Sequence, residues 1–301
     1  VQAKPNMCYH ARDEAAQVVL TLPANPAVGD LVRVKGAGPG GWKIAQNPGQ
    51  TVDTRSLGGM AGANWTAQGP VDQSRPGWYS VTSSADGNKL VAISHSNRLF
   101  TSTDGGVNWT VRETARDWSR VASSADGSKL VAVAYNDRIY TSTDSGVTWI
   151  ARESNRAWYS VDSSADGSKL VAVVYGGNIY TSTDSGVSWI PRESARLWQP
   201  ASTSSADGSK LAAMEQQGPI YTSTDSGENW TSHNIIQPWL ALASSADGNK
   251  LVAAAFGGTL YTSTDAGVSW TPRESNRNWD AVASSADGSK LAAAVRGGRV
   301  Y

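Results

Sequence analysis

Four segments of the sequence each place two arginines, a glutamate and a tryptophan within seven residues, a combination that can bind a polar ligand. An arginine fork binds carboxylates and hydroxyls, and an indole ring stacks on the face of a sugar. Local Arg/Glu pairing, with the tryptophans packed in the core, explains the same pattern, and the sequence leaves both explanations open. The predicted ligand contacts in these segments are Arg112, Arg116, Trp118, Arg152, Arg156, Trp158, Arg192, Arg196, Trp198, Arg273, Arg277 and Trp279.

The segments recur because most of the chain repeats a unit of about 40 residues. Ser-Ser-Ala-Asp-Gly occurs six times, and Ser-Thr-Asp-x-Gly-x-x-Trp occurs five times in the same register. Within the unit 118–152, four short apolar or alternating segments are separated by turn sequences, and helical periodicity is missing. Four strands in a unit of this length are typical of a β-propeller blade.

The two ends of the repeated region complement each other. The sixth unit reaches its third strand at Tyr301, whereas residues 62–66 match a fourth strand that has no third strand before it. Pairing the two would complete the last blade and cover two free sheet edges. We therefore predict an all-β chain with a six-bladed β-propeller of four-stranded blades over residues 56–301, closed by the strand at 62–66. A small β-rich extension over residues 1–55 precedes it.

The segment Ser-Thr-Asp-Ser-Gly-Val-Thr-Trp at 142–149 resembles the Asp-box of the bacterial neuraminidase repeat families. The resemblance implies that the aspartate accepts backbone N–H bonds in the turn between the third and fourth strands, and that the tryptophan packs between blades. It therefore implies a structural role for the five aspartates. They are Asp104, Asp144, Asp184, Asp225 and Asp265.

The same resemblance raises the hypothesis of a sialidase. Those enzymes are similar in having six blades, and they use three arginines, a tyrosine nucleophile activated by glutamate, and an aspartate acid/base from different loops. Here the arginines follow the repeat, and no Arg-Ile-Pro element precedes the first unit. We therefore predict a non-sialidase member with no catalytic residues. The sequence does not test for a carboxylate pair at the separation that other glycosidases use.

Recognition is expected on one face of the predicted propeller. The turns rich in Asp and Gly fall on one face, while the links between blades and the connections from second to third strands fall on the other. Those connections vary more than the rest of the unit, as loops that carry recognition do. Tyr135 and Tyr175 lie in two of them and complete the set of predicted ligand contacts.

Composition excludes several other classes of partner. The 26 basic residues balance the 26 acidic ones, which gives no long-range attraction to nucleic acid. No apolar run approaches the roughly 20 residues that cross a bilayer, so we expect no membrane insertion. Cys8 is the single cysteine, and His10, His95 and His233 occupy unrelated repeat positions. We therefore expect no metal site and no cofactor.

The N-terminal residues do not share the repeat. We predict strands at 18–22, 30–34 and 42–45. The run from Leu22 to Gln50 resembles small β modules of phage tail-fibre and surface-appendage proteins, which implies contact with the propeller or with a neighbouring chain. The chain begins at Val1 without a signal segment, and its low charge and abundant Ser, Thr and Gly favour an extracellular or surface-associated protein.

These observations favour a non-enzymatic recognition or adhesion propeller that binds a glycan or a surface protein, with carbohydrate preferred, through the face of the interblade links. The alternative is a structural subunit of a fibre, appendage or virion surface that acts through protein–protein contacts, including self-assembly through the extension. A glycosidase is the third hypothesis.

Overall fold

A computed structural model describes residues 78–94 and 98–301, with the side chain of Pro200 left aside, and the backbone of four short N-terminal strands. The chain divides into two compact units, Val1–Ala67 and Gln68–Tyr301. The predicted closing strand at 62–66 and the connection that holds His95 lie outside the described residues. Closure of the propeller at six blades therefore stays a prediction.

The described part of the first unit consists of two parallel strand pairs. Strand β1 (Met7–Arg12) pairs with β3 (Val32–Ala37), and β2 (Val18–Thr21) pairs with β4 (Trp42–Ala45). Three of these strands overlap the predicted ones, and β3 extends to Ala37, beyond the predicted end at residue 34. Parallel pairing requires a crossover between partners, which explains why each strand pairs with the next but one.

The second unit is all-β over its described residues, and its sheets are antiparallel. The first sheet contains β5 (Trp78–Ser83), β6 (Leu90–Ser94), β7 (Leu99–Ser102) and β8 (Thr110–Val111). The second and third contain β9 (Trp118–Ser123), β10 (Leu130–Ser142), β11 (Ile150–Ser163), β12 (Leu170–Gly177), β13 (Ile179–Ser182) and β14 (Ile190–Pro191), with β11 shared between them.

The remaining strands follow the same pattern. The fourth sheet contains β15 (Arg196–Ser204), β16 (Leu211–Glu215), β17 (Ile220–Ser223) and β18 (Thr231–His233). The fifth contains β19 (Trp239–Ser244), β20 (Leu251–Ala255), β21 (Leu260–Ser263) and β22 (Thr271–Arg273). The sixth contains β23 (Trp279–Ser284) and β24 (Leu291–Val295), and Val300 forms a single bridge with Ala294. The predicted pattern of four strands thus recurs in the first five sheets, and the sixth has two strands and this bridge.

Strands β10 and β11 are longer than the repeat predicts because they continue through loops. Tyr135 pairs with Ala157 and Asp137 pairs with Arg156, so the connection within the second sheet forms a ladder with the link to the third. Tyr175 pairs with Leu197 in the same way one sheet further on. These ladders bring the links and the second-to-third connections together at one end of the sheets.

The core lies between successive sheets. Trp118, at the start of β9, packs with Val91, Ile93 and Leu99 of the first sheet. The equivalent tryptophans of the next four sheets are likewise 0–1% exposed. The exception is Trp78 in the first sheet, which is 53% exposed. In the described structure, this tryptophan is therefore buried only where a preceding sheet covers it. Each of the five buried rings contributes more hydrophobic stabilisation than the exposed Trp78 does.

Backbone hydrogen bonds tie the sheets together along the turns. The N–H of Ala85 donates to the carbonyl of Ala125 at 2.7 Å, and the N–H of Ala125 donates to that of Ala165 at the same distance. The series continues through Ala206 to Ala246 and Ala286. Each Ala-Asp-Gly turn is therefore fixed to the next one along the chain, which sets the spacing of the sheets.

The turn between the third and fourth strands is built on its aspartate. The Asp144 carboxylate accepts hydrogen bonds from the Thr148 backbone N–H at 2.9 Å and from the Ser142 hydroxyl at 2.8 Å. Gly146 has a φ of 81°, and a Cβ there would lie 2.7 Å from the Thr101 side chain, so only glycine fits. Asp144 thus fixes this turn through its hydrogen bonds to Thr148 and Ser142.

The turn carboxylates predict a loss of stability in acid. The Thr148 hydroxyl and backbone N–H lower the pKa of Asp144 to about 2. The aspartates in the other turns of the repeat have pKa values below their usual range too; they are Asp86, Asp104, Asp126, Asp166, Asp184, Asp207, Asp225, Asp247, Asp265 and Asp287.

A group whose pKa is lowered by folding stabilises the fold above its unfolded pKa, near 3.8, and loses that contribution as the pH falls through the folded pKa. We therefore expect the melting temperature to drop steeply between pH 4 and pH 2, as measured by circular dichroism. Replacing Asp144 with asparagine should lower the melting temperature at pH 7 and reduce the steepness of the acid limb. An unchanged acid limb in this variant would contradict the assignment.

Candidate ligand-binding site

The predicted tryptophan contacts lie in the core and not on a binding surface. Trp118, Trp158, Trp198 and Trp279 are 0% exposed and pack between sheets. An indole ring that is enclosed on both faces has no face left for a sugar. The positions of these rings thus correct the prediction of a stacking role and favour the packing explanation.

The first arginine of each link holds neighbouring strands together. In each case its Nε donates to a threonine Oγ1 in the third strand of the same sheet. The pairs are Arg112–Thr101 at 2.8 Å, Arg152–Thr141 at 3.1 Å, Arg192–Thr181 at 2.9 Å and Arg273–Thr262 at 2.9 Å. These contacts fix the start of the link and occupy the Nε atom that a ligand would use.

The second arginine of each link lies over an aromatic ring of its own sheet. The guanidinium carbons of Arg116, Arg156, Arg196 and Arg277 lie 4.5–5.1 Å from the ring centroids of Tyr140, Tyr180, Tyr221 and Tyr301.

Two of these arginines also form ion pairs. Arg116 lies 2.7 Å from the Asp137 carboxylate, and Arg196 lies 3.6 Å from Glu193 and from Glu215. Their charges are therefore balanced by local partners, which supports the pairing explanation over the ligand-binding one.

A cavity of about 410 Å³ opens where the first strands meet the second-to-third connections. Three predicted residues, Trp118, Tyr135 and Tyr175, line it, although Trp118 is 0% exposed. Sequence reasoning missed the remaining lining residues, namely Tyr79, Asp117, Ser119, Tyr159, Gln199 and Gln216. We call this cavity the tyrosine pocket.

The lining residues come mainly from two positions of the repeat. One is the residue that follows the first-strand tryptophan, which is Tyr79, Ser119, Tyr159 or Gln199 in the first four units. The other is the fifth residue after the leucine that begins the second strand, which supplies Tyr135, Tyr175 and Gln216. The first position varies between units next to an unchanging tryptophan, but its other neighbours vary as well, so the sequence carries no signal specific to the pocket.

Tyr159 is the centre of the aromatic wall. Its ring meets those of Tyr135 and Tyr175 edge to face, with centroids 6.2 and 5.5 Å apart. Tyr135 and Tyr175 are each 36% exposed, so part of each ring is available to a ligand. Burial raises the pKa of Tyr159, so its hydroxyl stays protonated at neutral pH. The wall therefore offers ring surfaces and neutral hydrogen-bonding groups together.

Polar groups complete the pocket. The Tyr175 hydroxyl donates to Oε1 of Gln216 at 3.4 Å. Arg120 lies behind Tyr79, with its guanidinium carbon 5.2 Å from that ring centroid and Nη1 donating to the Ser119 carbonyl at 3.0 Å. Burial lowers the pKa of Arg120, but a guanidinium remains charged at neutral pH. The pocket thus combines amides, hydroxyls and aromatic rings, with one carboxylate at Asp117.

The described part of the chain contains no group of three His, Cys, Asp or Glu side chains placed to hold a metal ion. It also contains no helix that is long and apolar enough to cross a membrane.

A succession of four-stranded antiparallel sheets, with their first strands side by side and a pocket at one end, defines an all-β protein of the β-propeller type. The chain matches no protein-family model and no curated protein sequence. It is similar in structure to the GH74 enzyme of Niastella koreensis, with a TM-score of 0.58 and 18% identity, over 72% of this chain and 35% of that one.

Two other solved structures are also similar. An ancestral GH74 enzyme gives a TM-score of 0.60 and 16% identity, over 78% of this chain and 37% of that one. YCF48 from Cyanidioschyzon merolae gives a TM-score of 0.47 and 14% identity, over 74% and 94%. The chain therefore spans about a third of the length of the two GH74 enzymes. At these identities the likeness to the two GH74 enzymes shows the propeller-type fold and nothing about activity.

Proposed function

We propose that this protein is a non-enzymatic, extracellular recognition propeller that binds carbohydrate through the tyrosine pocket. The observation that carries the proposal is the wall of the pocket, in which three contacting tyrosine rings stand beside two glutamines and a serine. The site differs from the one predicted from the sequence, since it keeps Tyr135 and Tyr175 and replaces the tryptophans with Tyr159. It lies on the same face as the interblade links.

The chemistry of the wall matches that of a neutral sugar. A sugar ring presents an apolar face of C–H groups, which packs on an aromatic ring, and a rim of hydroxyls, which hydrogen-bond to amides and tyrosine hydroxyls. A volume of about 410 Å³ falls in the range of pockets that enclose small organic ligands. A neutral sugar needs no electrostatic steering, and the chain carries no net charge that would provide it.

Recognition is favoured over hydrolysis by the acidic groups of the pocket. Most glycosidases place two carboxyl groups on either side of the scissile bond. Among the described lining residues, Asp117 supplies one carboxylate and no second one faces it. The GH74 enzymes named above share the fold at 16–18% identity, a level of likeness that does not indicate a shared activity.

Removal of an aromatic ring from the pocket tests the proposal. We expect Tyr175→Ala to weaken sugar binding about tenfold, because an aromatic contact with a ligand contributes on the order of 1 kcal/mol. Tyr175→Phe keeps the ring and should retain most of the affinity. Binding is measured first on a glycan array and then by calorimetry with the sugar that scores highest. The melting temperature serves as the control for folding, since Tyr175 is 36% exposed.

Two results would overturn the proposal. One is equal affinity of the wild type and Tyr175→Ala for a sugar that binds. The other is no binding to any glycan together with concentration-dependent assembly in light scattering, which would favour the structural-subunit alternative. That alternative is supported by the exposed apolar residues of the first and sixth sheets, where Trp78 is 53% and Leu291 46% exposed.

A further inference from the structure

A second cavity adjoins the tyrosine pocket. Its volume is about 250 Å³, and it shares Gln199 and Gln216 with the larger cavity. Its other lining residues are Gln217, Pro238, Trp239, Leu240, Phe256 and Arg296. The two cavities are therefore neighbouring parts of one depression in which the glutamines form the shared wall.

The second cavity is built from the same two repeat positions as the first. Leu240 follows a first-strand tryptophan, as Tyr159 does, and Phe256 is the fifth residue after the leucine that begins its second strand, as Tyr175 is. Gln216 occupies that position in the sheet between them. From the third to the fifth sheet, this position thus presents an aromatic ring, an amide and another aromatic ring, which are those of Tyr175, Gln216 and Phe256.

The aromatic ring of the second cavity is held in place and partly open. Phe256 is 39% exposed, and the Arg296 guanidinium carbon lies 5.1 Å from its ring centroid. Arg296 is itself fixed by Asp280, whose carboxylate accepts a hydrogen bond from Nη2 at 2.7 Å. The Arg296–Asp280 pair balances its own charge, so the cavity favours a neutral ligand over an ionic one.

We propose that the two cavities form one groove that binds a linear, neutral oligosaccharide of at least three residues. One sugar ring packs against Tyr159 and Tyr175, another packs against Phe256, and the glutamines between them bind the hydroxyls of the intervening residue. The inference rests on the proposed function, since it assumes that the tyrosine pocket takes a sugar. It adds the class of ligand, an extended chain in place of a single terminal residue.

The dependence of affinity on chain length tests the groove. The probes are two series, β-1,4-linked glucose and β-1,4-linked N-acetylglucosamine, each from one to six residues, with any further linear series that scores on the glycan array. Affinities are measured by calorimetry for the wild type, Phe256→Ala, Phe256→Tyr and Tyr175→Ala. The exposed position of Phe256 makes loss of folding an unexpected result, and thermal unfolding of each variant checks it.

For a groove, affinity in the series that binds should rise about tenfold between two and four residues and then level off. Phe256→Ala should abolish that rise while leaving the affinity for the disaccharide unchanged. Phe256→Tyr keeps an aromatic ring and should retain the rise in affinity. Tyr175→Ala should weaken binding at every chain length. An affinity that does not depend on length, or an equal loss at all lengths in Phe256→Ala, would overturn the groove and leave the pocket intact. Failure of every linear series to bind the wild type would overturn the groove, and the proposed function falls with it only if no glycan on the array binds.

Discussion

Replacing Trp158 with alanine should lower the free energy of unfolding by about 3–5 kcal/mol, the range for truncating a large buried aromatic residue. Trp158 is 0% exposed and packs with Val131, Val133 and Ile139 of the preceding sheet. Its Nε1 donates to the Ser154 carbonyl at 3.2 Å. Truncation therefore leaves a cavity between the second and third sheets and removes the donor to that carbonyl, because the surrounding strands are fixed by their own ladders.

Trp78 provides a matched control at the same position of the repeat. It is 53% exposed, and its ring meets Phe100 edge to face at 5.4 Å. We expect Trp78→Ala to cost less than half as much stability as Trp158→Ala. The measurement is urea unfolding followed by circular dichroism, with sugar binding recorded in parallel. A Trp158→Ala variant that unfolds like the wild type and loses sugar binding would restore the ligand role predicted from the sequence.

Asp162 should make the stability depend on pH near neutrality, in the direction opposite to the turn aspartates. It is half-buried in β11, with one carboxylate oxygen accepting from the Ser163 N–H at 2.8 Å and the other from the Ser204 N–H at 2.9 Å. Burial raises the pKa of Asp162 to about 6, against the effect of these two donors. The carboxylate thus links two neighbouring first strands and resists ionisation there.

The sign of the effect follows from the two pKa values. Below the unfolded pKa, near 3.8, the carboxyl group is protonated in both states, and its stabilising contribution is complete. As the pH rises through 6, ionisation is easier in the unfolded chain, and that contribution is lost. We expect the free energy of unfolding of the wild type, relative to Asp162→Ala, to fall by about 2 kcal/mol between pH 4 and pH 7.

Alanine is a suitable replacement because the repeat already contains it. Ala122, Ala243 and Ala283 occupy the position of Asp162 in three other units. Asp162→Asn, which keeps the size of the side chain without its charge, should show the same flattened profile. The readout is urea unfolding from pH 4 to pH 8. Parallel profiles for the wild type and both variants would show that the carboxyl group does not titrate in this range.

The repeat made much of the fold predictable. A unit with fixed turn motifs and alternating apolar segments determines where strands begin and end, because these preferences are local. The strands that open the second, fifth and sixth sheets begin at the same repeat position, at Trp118, Trp239 and Trp279. Loop pairing was not predictable in this way, since the ladder between Tyr135 and Ala157 depends on the distance between two sheets.

The candidate site was less predictable than the fold. Tyr135 and Tyr175 were predictable from the variability of their loops. Tyr159 was not, because it lies within a regular strand, next to Trp158, for which the sequence predicted the ligand contact. The partners of the link arginines could not be predicted either, because Thr101 and Asp137 lie 11 and 21 residues from Arg112 and Arg116 in sequence.

The sequence by itself determined the unit of this protein, namely its strands, its aspartate turns and the positions that vary from one unit to the next. Tertiary structure alone decided which aromatic rings are available to a ligand. Trp158 and Tyr159 are adjacent in the chain, yet one is enclosed between sheets and the other lines a pocket. Successive residues of a strand point to opposite sides, and only the packing of the neighbouring sheets determines which side is covered.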